Sequence, residues 1–325
     1  MTALRSAAVL VLSLLAATAA RAAEPLHLES RIALHGVHGR IDHMAIDVGR
    51  KRLFVAELGN GTLDVVDIAA GRQVRRIGGL AEPQGVGYAP AADLLAVAGA
   101  ADGRVRFFQG AELVPAGALP LGSDADDIRT DPRTGNLVVG YGSGGLAIID
   151  PRTRSKTGDI RLAAHPEAFE IDAATGRVFI NVPDAKEIAI ADLAGGKQVA
   201  RWTVPELRAN FPMALDAAAA KLATVFRQPP TLVLIDPKTG AVTQRLDTCG
   251  DADDLYFDAR RHRIYVSCGA GAVDVFEASG TGYRALARVR TASGARTSLF
   301  VPQLDRLYVA ARGADAAILV FRPMP

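Results

Sequence analysis

Seven copies of one short apolar pattern recur along the chain and constrain its fold more than any other feature. Each copy is a five-residue run, and successive runs begin 41 to 44 residues apart. A fixed period of this length is typical of repeat architectures in which each repeat is one supersecondary unit. The runs are RLFVA at 52–56, LLAVA at 94–98, NLVVG at 136–140, RVFIN at 177–181, KLATV at 221–225, RIYVS at 263–267 and RLYVA at 306–310.

The residues that flank each run are those that end β-strands. A turn such as DPRTG at 131–135 precedes the run, and a second apolar run such as LAIID at 146–150 often follows it. Short apolar segments between such turns predict strands and hairpins. A unit of about 42 residues with four short strands has the size of one propeller blade. The sequence therefore predicts an all-β fold, a seven-bladed β-propeller of four-stranded antiparallel blades, with residues 23–325 as a single domain.

The two ends of the repeat region predict how the ring closes. The last repeat, residues 294–325, is long enough for only three strands. The segment LHLESRIALHG at 26–36 alternates like a strand and precedes the first repeat. We expect this N-terminal strand to be the missing outer strand of the last blade.

Several of these segments resemble a known family. RLFVAELGNGTLDVVDI, RIYVSCGAGAVDVFE and RLYVAARG are similar to the YVTN-type repeats of secreted bacterial propellers of the YncE-like family. GRIDHMAID, EPQGVGY, HPEAFEID, ANFPMALD and GARTSLFVP resemble a subgroup often labelled gluconolactonase-like. The resemblance covers essentially all of the chain after residue 22 and implies the propeller fold. It does not select a chemistry, because propellers host lactonases, lyases, dehydrogenases and binding modules.

The first 22 residues have the pattern of a secretory signal peptide. Arg5 precedes an apolar run at 7–20, which ends in the small-residue pattern Ala20-Arg21-Ala22. The run is too short to span a membrane, and no cysteine follows it to carry a lipid. We therefore expect a periplasmic or secreted protein with no membrane span. Without Arg5 and Arg21 the 37 basic residues become 35 and equal the 35 acidic ones, so net charge provides no attraction for nucleic acid.

Cys249 and Cys268 are the only cysteines. In an oxidising compartment they form a disulfide or remain two buried thiols, and their spacing fits neither a CxxC redox pair nor a cysteine zinc site.

The repeat alignment places one pair of residues from every blade at the mouth of the central channel. These residues lie five and four positions before the aligned turn residue, where the inner strand of each blade begins. Units three and six lie roughly opposite each other in a sevenfold ring, so their DADD sequences should face across the mouth. The seven pairs are Asp42-His43, Gln84-Gly85, Asp126-Asp127, Glu167-Ala168, Phe211-Pro212, Asp253-Asp254 and Arg296-Thr297.

This mouth is predicted to be acidic. Eight acids lie near it, namely Asp42, Asp124, Asp126, Asp127, Glu167, Asp251, Asp253 and Asp254, and they are offset by Arg40 and Arg296. Crowded carboxylates raise one another's pKa or require a cation. Oxygen ligands favour Ca²⁺ or Mg²⁺, whereas His43, with His35 and His38 nearby, favours Zn²⁺. The candidate metal ligands are Asp126, Asp127, Glu167, Asp253, Asp254 and His43.

Other residues are candidates for catalysis or ligand binding. His43, Asp42 and Glu167 are candidate proton acceptors. The candidate ligand-binding residues are Gln84, His165, Asn210 and Arg296, and Arg227 at the end of a second strand is a weaker candidate. Structural roles are the alternative: an Asp that starts a strand often shapes the turn, and Arg296 could pair with one of the acids.

Two functions follow from this site. The first is an exported propeller that binds a small ligand, a metal ion or a periplasmic protein partner without catalysis, since GxSxG and HExxH motifs are absent. The alternative is a metal-dependent hydrolase or lyase of the lactonase type that uses the same mouth. The sequence argues against nucleic acid as a partner, because single-strand binding requires aromatic platforms beside basic residues.

Overall fold

The fold is a ring of seven four-stranded antiparallel sheets, seen in a computed structural model that describes residues 24–325. Each sheet is one blade, and consecutive strands of the chain are neighbours in six of the seven blades. The predicted seven-bladed propeller is therefore confirmed. The expected signal peptide, residues 1–22, lies outside the described residues.

The strands are numbered β1 to β28 in chain order, and β2 begins blade 1. Blades 1 and 2 contain β2 Met44–Asp47, β3 Arg52–Glu57, β4 Thr62–Asp67, β5 Arg72–Ile77, β6 Pro83–Ala89, β7 Leu94–Gly99, β8 Arg104–Gln109 and β9 Val114–Pro120. Blades 3 and 4 contain β10 Ala125–Thr130, β11 Leu137–Tyr141, β12 Gly145–Asp150, β13 Ser155–Arg161, β14 Phe169–Ile171, β15 Arg177–Val182, β16 Glu187–Asp192 and β17 Lys197–Trp202. Blades 5 and 6 contain β18 Arg208–Asp216, β19 Lys221–Gln228, β20 Pro230–Ile235, β21 Val242–Asp247, β22 Ala252–Asp258, β23 Arg263–Cys268, β24 Ala272–Ser279 and β25 Gly282–Arg290. Blade 7 contains β26 Ser298–Val301, β27 Arg306–Ala311, β28 Ala317–Pro323 and β1 Leu26–Ala33.

Burial changes from the second strand of a blade to its outer strand. In blade 1, β3 is buried along most of its length because other blades cover both of its faces, whereas β5, RQVRRI, is largely exposed. The repeated apolar run of the sequence is thus the second strand of each blade. Three short 3₁₀ turns, Leu58–Asn60, Pro90–Ala92 and Pro302–Leu304, are the only helices within residues 24–325. None of them has the length and apolar character that crossing a bilayer would require.

The turn before each second strand explains the repeated Asp of the sequence. In DPRTG, one carboxylate oxygen of Asp131 accepts a hydrogen bond from the Arg133 N–H at 3.0 Å, and the other accepts one from the Thr134 hydroxyl at 2.7 Å. Gly135 closes the turn with φ 76°, a conformation that glycine adopts without a steric penalty. This turn returns the chain from the inner strand to the second strand.

The core lies between neighbouring blades. One cluster packs Val105 and Phe107 of blade 2 against Ile128 and Leu137 of blade 3, all of them at most 3% exposed. Burying one such side chain stabilises the fold by about 1.5–3 kcal/mol. Equivalent clusters between other blades hold the ring together and fix the inner strands that carry the mouth residues.

The N-terminal strand closes the ring as predicted. β1 pairs antiparallel with β28, from Leu26 opposite Pro323 to Ala33 opposite Ala317. Leu26 is 1% exposed, and the Met324 N–H donates to the Pro25 carbonyl at 2.9 Å. The two ends of the described chain therefore share one blade.

Cys249 and Cys268 form a disulfide, with Cα atoms 5.9 Å apart. It joins the segment before β22 to the end of β23, and both residues are almost completely buried. Of the two states left open by the sequence, the structure has the bridged one.

Candidate functional site

A cavity of about 280 Å³ lies at one end of the central channel. The first residue of every aligned pair lines it, so each of the seven blades contributes at this position. They meet there because all seven inner strands begin at the same end of the ring. These residues are Asp42, Gln84, Asp126, Glu167, Phe211, Asp253 and Arg296.

One side of the cavity, here called the histidine wall, consists of His43, Asp126, His165 and Glu167 from blades 1, 3 and 4. His165 Nδ1 lies 2.6 Å from the Gly142 carbonyl oxygen. Because that oxygen can only accept, Nδ1 carries a hydrogen and donates it. His165 Nε2 lies 3.8 Å from Asp126 Oδ2, and His43 Nε2 lies 3.6 Å from Asp126 Oδ1. The Asp126 carboxylate therefore lies between two imidazoles.

The charges of the histidine wall depend on one another. Burial alone would lower the pKa of His43, but the carboxylates of Asp127, Asp42 and Asp126 outweigh burial and raise it to about 9. Burial would likewise lower the pKa of His165, but Asp126 and the Gly142 carbonyl raise it to about 9. Both imidazoles are thus protonated at neutral pH. The pKa of Asp126, which burial would raise, is lowered by these two cations.

Two other carboxyl groups of the cavity are shifted in the opposite direction. Burial, together with the charge of Asp126, raises the pKa of Glu167 to about 7. Burial also raises the pKa of Asp42 to about 6, although His43 and Arg40 oppose the shift. Arg40 Nη2 lies 2.7 Å from Asp42 Oδ2. Glu167 therefore titrates far closer to neutral pH than an ordinary glutamate, which suits a group that exchanges protons.

The opposite side, here called the arginine wall, consists of Arg227, Asp253 and Arg296 from blades 5, 6 and 7, and Asp251 pairs with it from outside the cavity lining. Arg227 Nη2 donates to Asp253 Oδ1, and its Nε donates to the Ala252 carbonyl at 2.7 Å. Arg296 Nη1 donates to Asp251 Oδ1 at 2.8 Å, and its Nε lies 2.9 Å from Asp253 Oδ2. Asp253 thus lies between two guanidinium groups.

The Phe211 ring packs against the Arg227 guanidinium group of the arginine wall. The Arg227 guanidinium carbon lies 3.6 Å from the centre of the Phe211 ring, which is a cation–π contact. Arg227 reaches the cavity from the end of the second strand β19. Its position at the end of a second strand was the sequence signal for it.

The mouth is more balanced in charge than the sequence predicted. Within the described residues, six carboxyl side chains and five cationic side chains line the cavity. The sequence count of acids offset by Arg40 and Arg296 left out Arg227 and the two protonated histidines. The carboxylates are Asp42, Asp124, Asp126, Asp127, Glu167 and Asp253, and the cations are Arg40, His43, His165, Arg227 and Arg296.

Gly85 determines how closely blades 2 and 3 approach at the mouth. A Cβ atom on Gly85 would lie 2.0 Å from the Asp126 carbonyl oxygen, far inside contact distance. The neighbouring Gln84 is 8% exposed and lines the cavity. Its amide has no hydrogen-bond partner among residues 24–325, so it can both donate to a ligand and accept from one.

Asn210, expected to line the mouth, does not reach it. It is 1% exposed, and its amide donates to Asn181 Oδ1 at 2.9 Å and to the Glu187 carbonyl at 3.0 Å. An irregularity in the pairing of β18 with β19 between Asn210 and Met213 brings Phe211 to the cavity and directs Asn210 between blades 4 and 5. Sequence offset alone could not reveal this irregularity.

Asp254 and the two loop histidines also lie outside the mouth. Asp254 lines a second cavity of about 240 Å³, deeper in the channel, and its Oδ2 accepts a hydrogen bond from the Ser298 N–H at 2.6 Å. His35 and His38 are exposed. Asp254 was predicted to face the mouth beside Asp253, but its side chain lines the deeper cavity, where the Ser298 N–H holds the carboxylate.

The deeper cavity contains residues that the sequence analysis missed. Arg129 and Glu170 line it together with Tyr256, and His43 borders both cavities. Burial raises the pKa of Glu170 to about 7. Extending the repeat alignment two or three positions further along each inner strand would have found Arg129 and Glu170.

The fit of the mouth to a metal ion depends mainly on Asp126. Its Oδ1 is buried without a hydrogen-bond partner, and both imidazole Nε2 atoms face the carboxylate from beyond hydrogen-bonding distance. These donors suit a zinc-type ion. In the described part of the chain, however, no three His, Cys, Asp or Glu side chains are already arranged to hold an ion. Side chains of the histidine wall would have to reorient to bind one.

Comparisons with known proteins identify the fold. Hydrazine synthase of Kuenenia stuttgartiensis superposes with a TM-score of 0.77 at 15% sequence identity, covering 89% of this chain and 98% of that one. A chain of the mitotic checkpoint complex superposes with a TM-score of 0.80 at 14% identity, covering 99% and 98%. At such low identity the likeness shows a shared propeller fold alone. No protein-family model and no curated protein sequence matches the chain.

Proposed function

We propose that this chain is an exported, YncE-like propeller that binds a small polar ligand in the mouth cavity. One observation carries the proposal: positions spread over the whole chain, one from each blade, converge on a single polar cavity. The volume of about 280 Å³ lies near the lower end of the usual range for ligand pockets. Export is supported by the leader pattern at 1–22, and the YncE-like assignment is supported by the YVTN-type repeats. The outer faces of the ring remain available to a periplasmic protein.

A thermal-shift screen of purified residues 23–325 against small polar metabolites tests this proposal. A compound that binds the folded state raises the midpoint of unfolding, and at 1,000 times its Kd it stabilises the protein by about 4 kcal/mol. The variant Gln84→Ala removes an amide that lines the cavity without breaking a hydrogen bond among the described residues, so the shift should shrink in this variant. Gln303→Ala, an exposed substitution in a short 3₁₀ turn, is the matched control. If no compound gives a shift that depends on Gln84, the proposal fails.

A second candidate function is a metal-dependent hydrolase or lyase of the lactonase type. The placement of Asp126 between His43 and His165 favours it. These three side chains would hold the ion, with Zn²⁺ preferred over Ca²⁺ or Mg²⁺ because two ligands are imidazoles. Such an ion acts as a Lewis acid that polarises a carbonyl group. Glu167, whose pKa is near 7, would accept or return the proton, and Asp42 is the alternative acceptor.

Metal analysis before and after chelation separates the two functions. Stoichiometric zinc that is lost from His165→Ala but kept by His262→Ala, an exposed histidine in a turn, would support the hydrolase. Metal-free protein that still binds a ligand in a Gln84-dependent way would support the noncatalytic function.

A further inference from the structure

The mouth cavity offers unused hydrogen-bond donors on its arginine wall. Arg227 Nη1 lies 3.6 Å from Asp251 Oδ1, which is beyond hydrogen-bonding distance. Arg296 uses its Nη1 and Nε to pair with Asp251 and Asp253, and its Nη2 takes part in neither pair. Both side chains line the cavity and are 16% and 19% exposed. Two guanidinium edges are thus available, and guanidinium groups are suited to bind a carboxylate through paired hydrogen bonds.

The opposite side offers unused acceptors. Glu167 lines the cavity, and its carboxyl group has no hydrogen-bond partner among residues 24–325. It lies close enough to Asp126 and Asp253 for their charges to act on it. The positive charges of His165 and Arg227 act on it, but their hydrogen bonds go to other groups, among them the Gly142 and Ala252 carbonyls. A ligand group with several N–H donors and a positive charge would suit Glu167 best.

The overall charge of the cavity limits the net charge of its ligand. Carboxyl and cationic side chains line it in nearly equal number. A ligand that carries only a negative charge would leave Glu167 without a partner and face Asp126. One that carries only a positive charge would leave the guanidinium edges unused and face two arginines. A molecule with one charge of each sign avoids both costs, because burying an unpaired charge is unfavourable.

We propose that the mouth cavity binds a small zwitterion of amino-acid size, with its carboxylate against Arg227 and Arg296 and its ammonium group against Glu167. This inference rests on the proposed ligand-binding function and specifies its ligand class. The matching order of charges along ligand and cavity would also fix the orientation of the bound molecule.

The test uses residues 23–325 and, as probes, the twenty amino acids and γ-aminobutyrate, first by thermal shift and then by calorimetry. The best binder is compared with its carboxamide, which lacks the anion, and with its N-acetyl form, which lacks the cation. Each change removes a charge-assisted contact, so each should weaken binding at least tenfold. Equal binding of all three forms would overturn the inference.

Two variants locate the contacts. Glu167→Gln should weaken binding of the parent compound but leave binding of its N-acetyl form unchanged. Arg296→Gln should weaken binding of the parent compound but not binding of its carboxamide. If the glutamine variant shows no unfolding transition without ligand, Arg296→Lys takes its place. Arg260→Gln, an exposed substitution near Asp305, is the control and should change none of these affinities.

Failure of this inference differs from failure of the proposed function. If the zwitterions do not bind but another compound gives a shift that depends on Gln84, the ligand class is wrong and the site stands. If no compound gives such a shift, the site itself is wrong.

Discussion

Two carboxyl groups that line the mouth, those of Asp126 and Glu167, have pKa values shifted in opposite directions. The pKa of Asp126 is lowered despite burial because two imidazolium groups flank it, and the pKa of Glu167 is raised to about 7 by burial and by the charge of Asp126. One carboxylate therefore stays ionised while the other gains and loses a proton near neutral pH. Pairs of acids separated in this way often divide structural and proton-transfer roles.

His165 predicts a pH dependence of stability. Its pKa is about 9 in the folded protein and near 6.5 when unfolded, so the folded state binds the proton more tightly. The stabilisation is complete below pH 6.5 and disappears as pH rises through 9, with a slope of up to about 1.4 kcal/mol per pH unit. His165→Gln should reduce this slope between pH 6.5 and 9, as measured by chemical denaturation at each pH. Parallel curves for the variant and the parent would contradict the assignment.

The individual mouth residues were partly predictable from sequence. The repeat offset placed Asp126, Glu167 and Arg296 at one cavity, because an offset within a repeat is preserved when the strands start at a common end. It also placed Phe211 there correctly, whereas Asn210, chosen as a polar neighbour of that pair and not by the offset, is turned away by an irregular strand pairing. It also could not show that Arg296 and Arg227 would neutralise Asp253, because that pairing depends on side-chain directions across three blades.

At the scale of strands, a polar cluster fixes where blade 5 meets blade 4. Asn181 of β15 donates to the carbonyls of Phe211 and Pro212 at 2.9 and 3.1 Å and to Thr224 Oγ1 at 3.0 Å. It also accepts from Asn210. Asn181 is completely buried. The cluster fixes the position of the strand segment that carries Phe211, whose ring contacts Arg227.

Replacing Asn181 should therefore destabilise the protein. Asn181→Leu removes the side-chain donor to the Phe211 carbonyl and the acceptor for one Asn210 N–H, whereas the Pro212 carbonyl keeps its bond from Thr224. Each buried group left unsatisfied costs about 1–3 kcal/mol. We expect a loss of at least about 2 kcal/mol in urea unfolding. Asn136→Leu, in a partly exposed turn, serves as the control and should be nearly neutral. An unchanged unfolding midpoint for Asn181→Leu would show that the cluster does not hold the blades.

The strands themselves were predictable because their signals are local. Apolar runs and Asp-containing turns recur with one period, so each repeat supports the assignment of the others. The outer strands were harder to recognise: β5 and β17 are polar and exposed, and they lack the pattern that identifies β3.

For the whole molecule, the closed ring creates the site. Residues from position 42 to position 296 become neighbours only when all seven blades are present. The blade count was predictable from seven equal repeats and the size of a blade. The charge balance of the mouth was not, because it depends on which side chains of different blades meet.

Ring closure through β1 gives a prediction for the whole chain. Deleting residues 24–33 removes a strand whose Leu26 and Ile32 are 1% and 2% exposed, so the last blade should lose its edge and the unfolding temperature should fall sharply. A circular permutant that joins Pro325 to Glu24 connects β28 directly to β1. If it opens at residues 194–196, the only hairpin connection that it loses is the one between β16 and β17. That permutant should fold, and circular dichroism melting compares the two. A deletion variant as stable as the parent would mean that β1 does not fasten the ring.

The place of β1 also has a consequence for how the molecule is made. Among the described strands, β1 precedes all others in the chain, yet its only partner is β28, the last of them. Before β28 is in place the ring is incomplete, and β1 and β27 each lack a neighbouring strand. Such unpaired edge strands are prone to pair with other chains. That exposure ends in a single step when β28 pairs with β1.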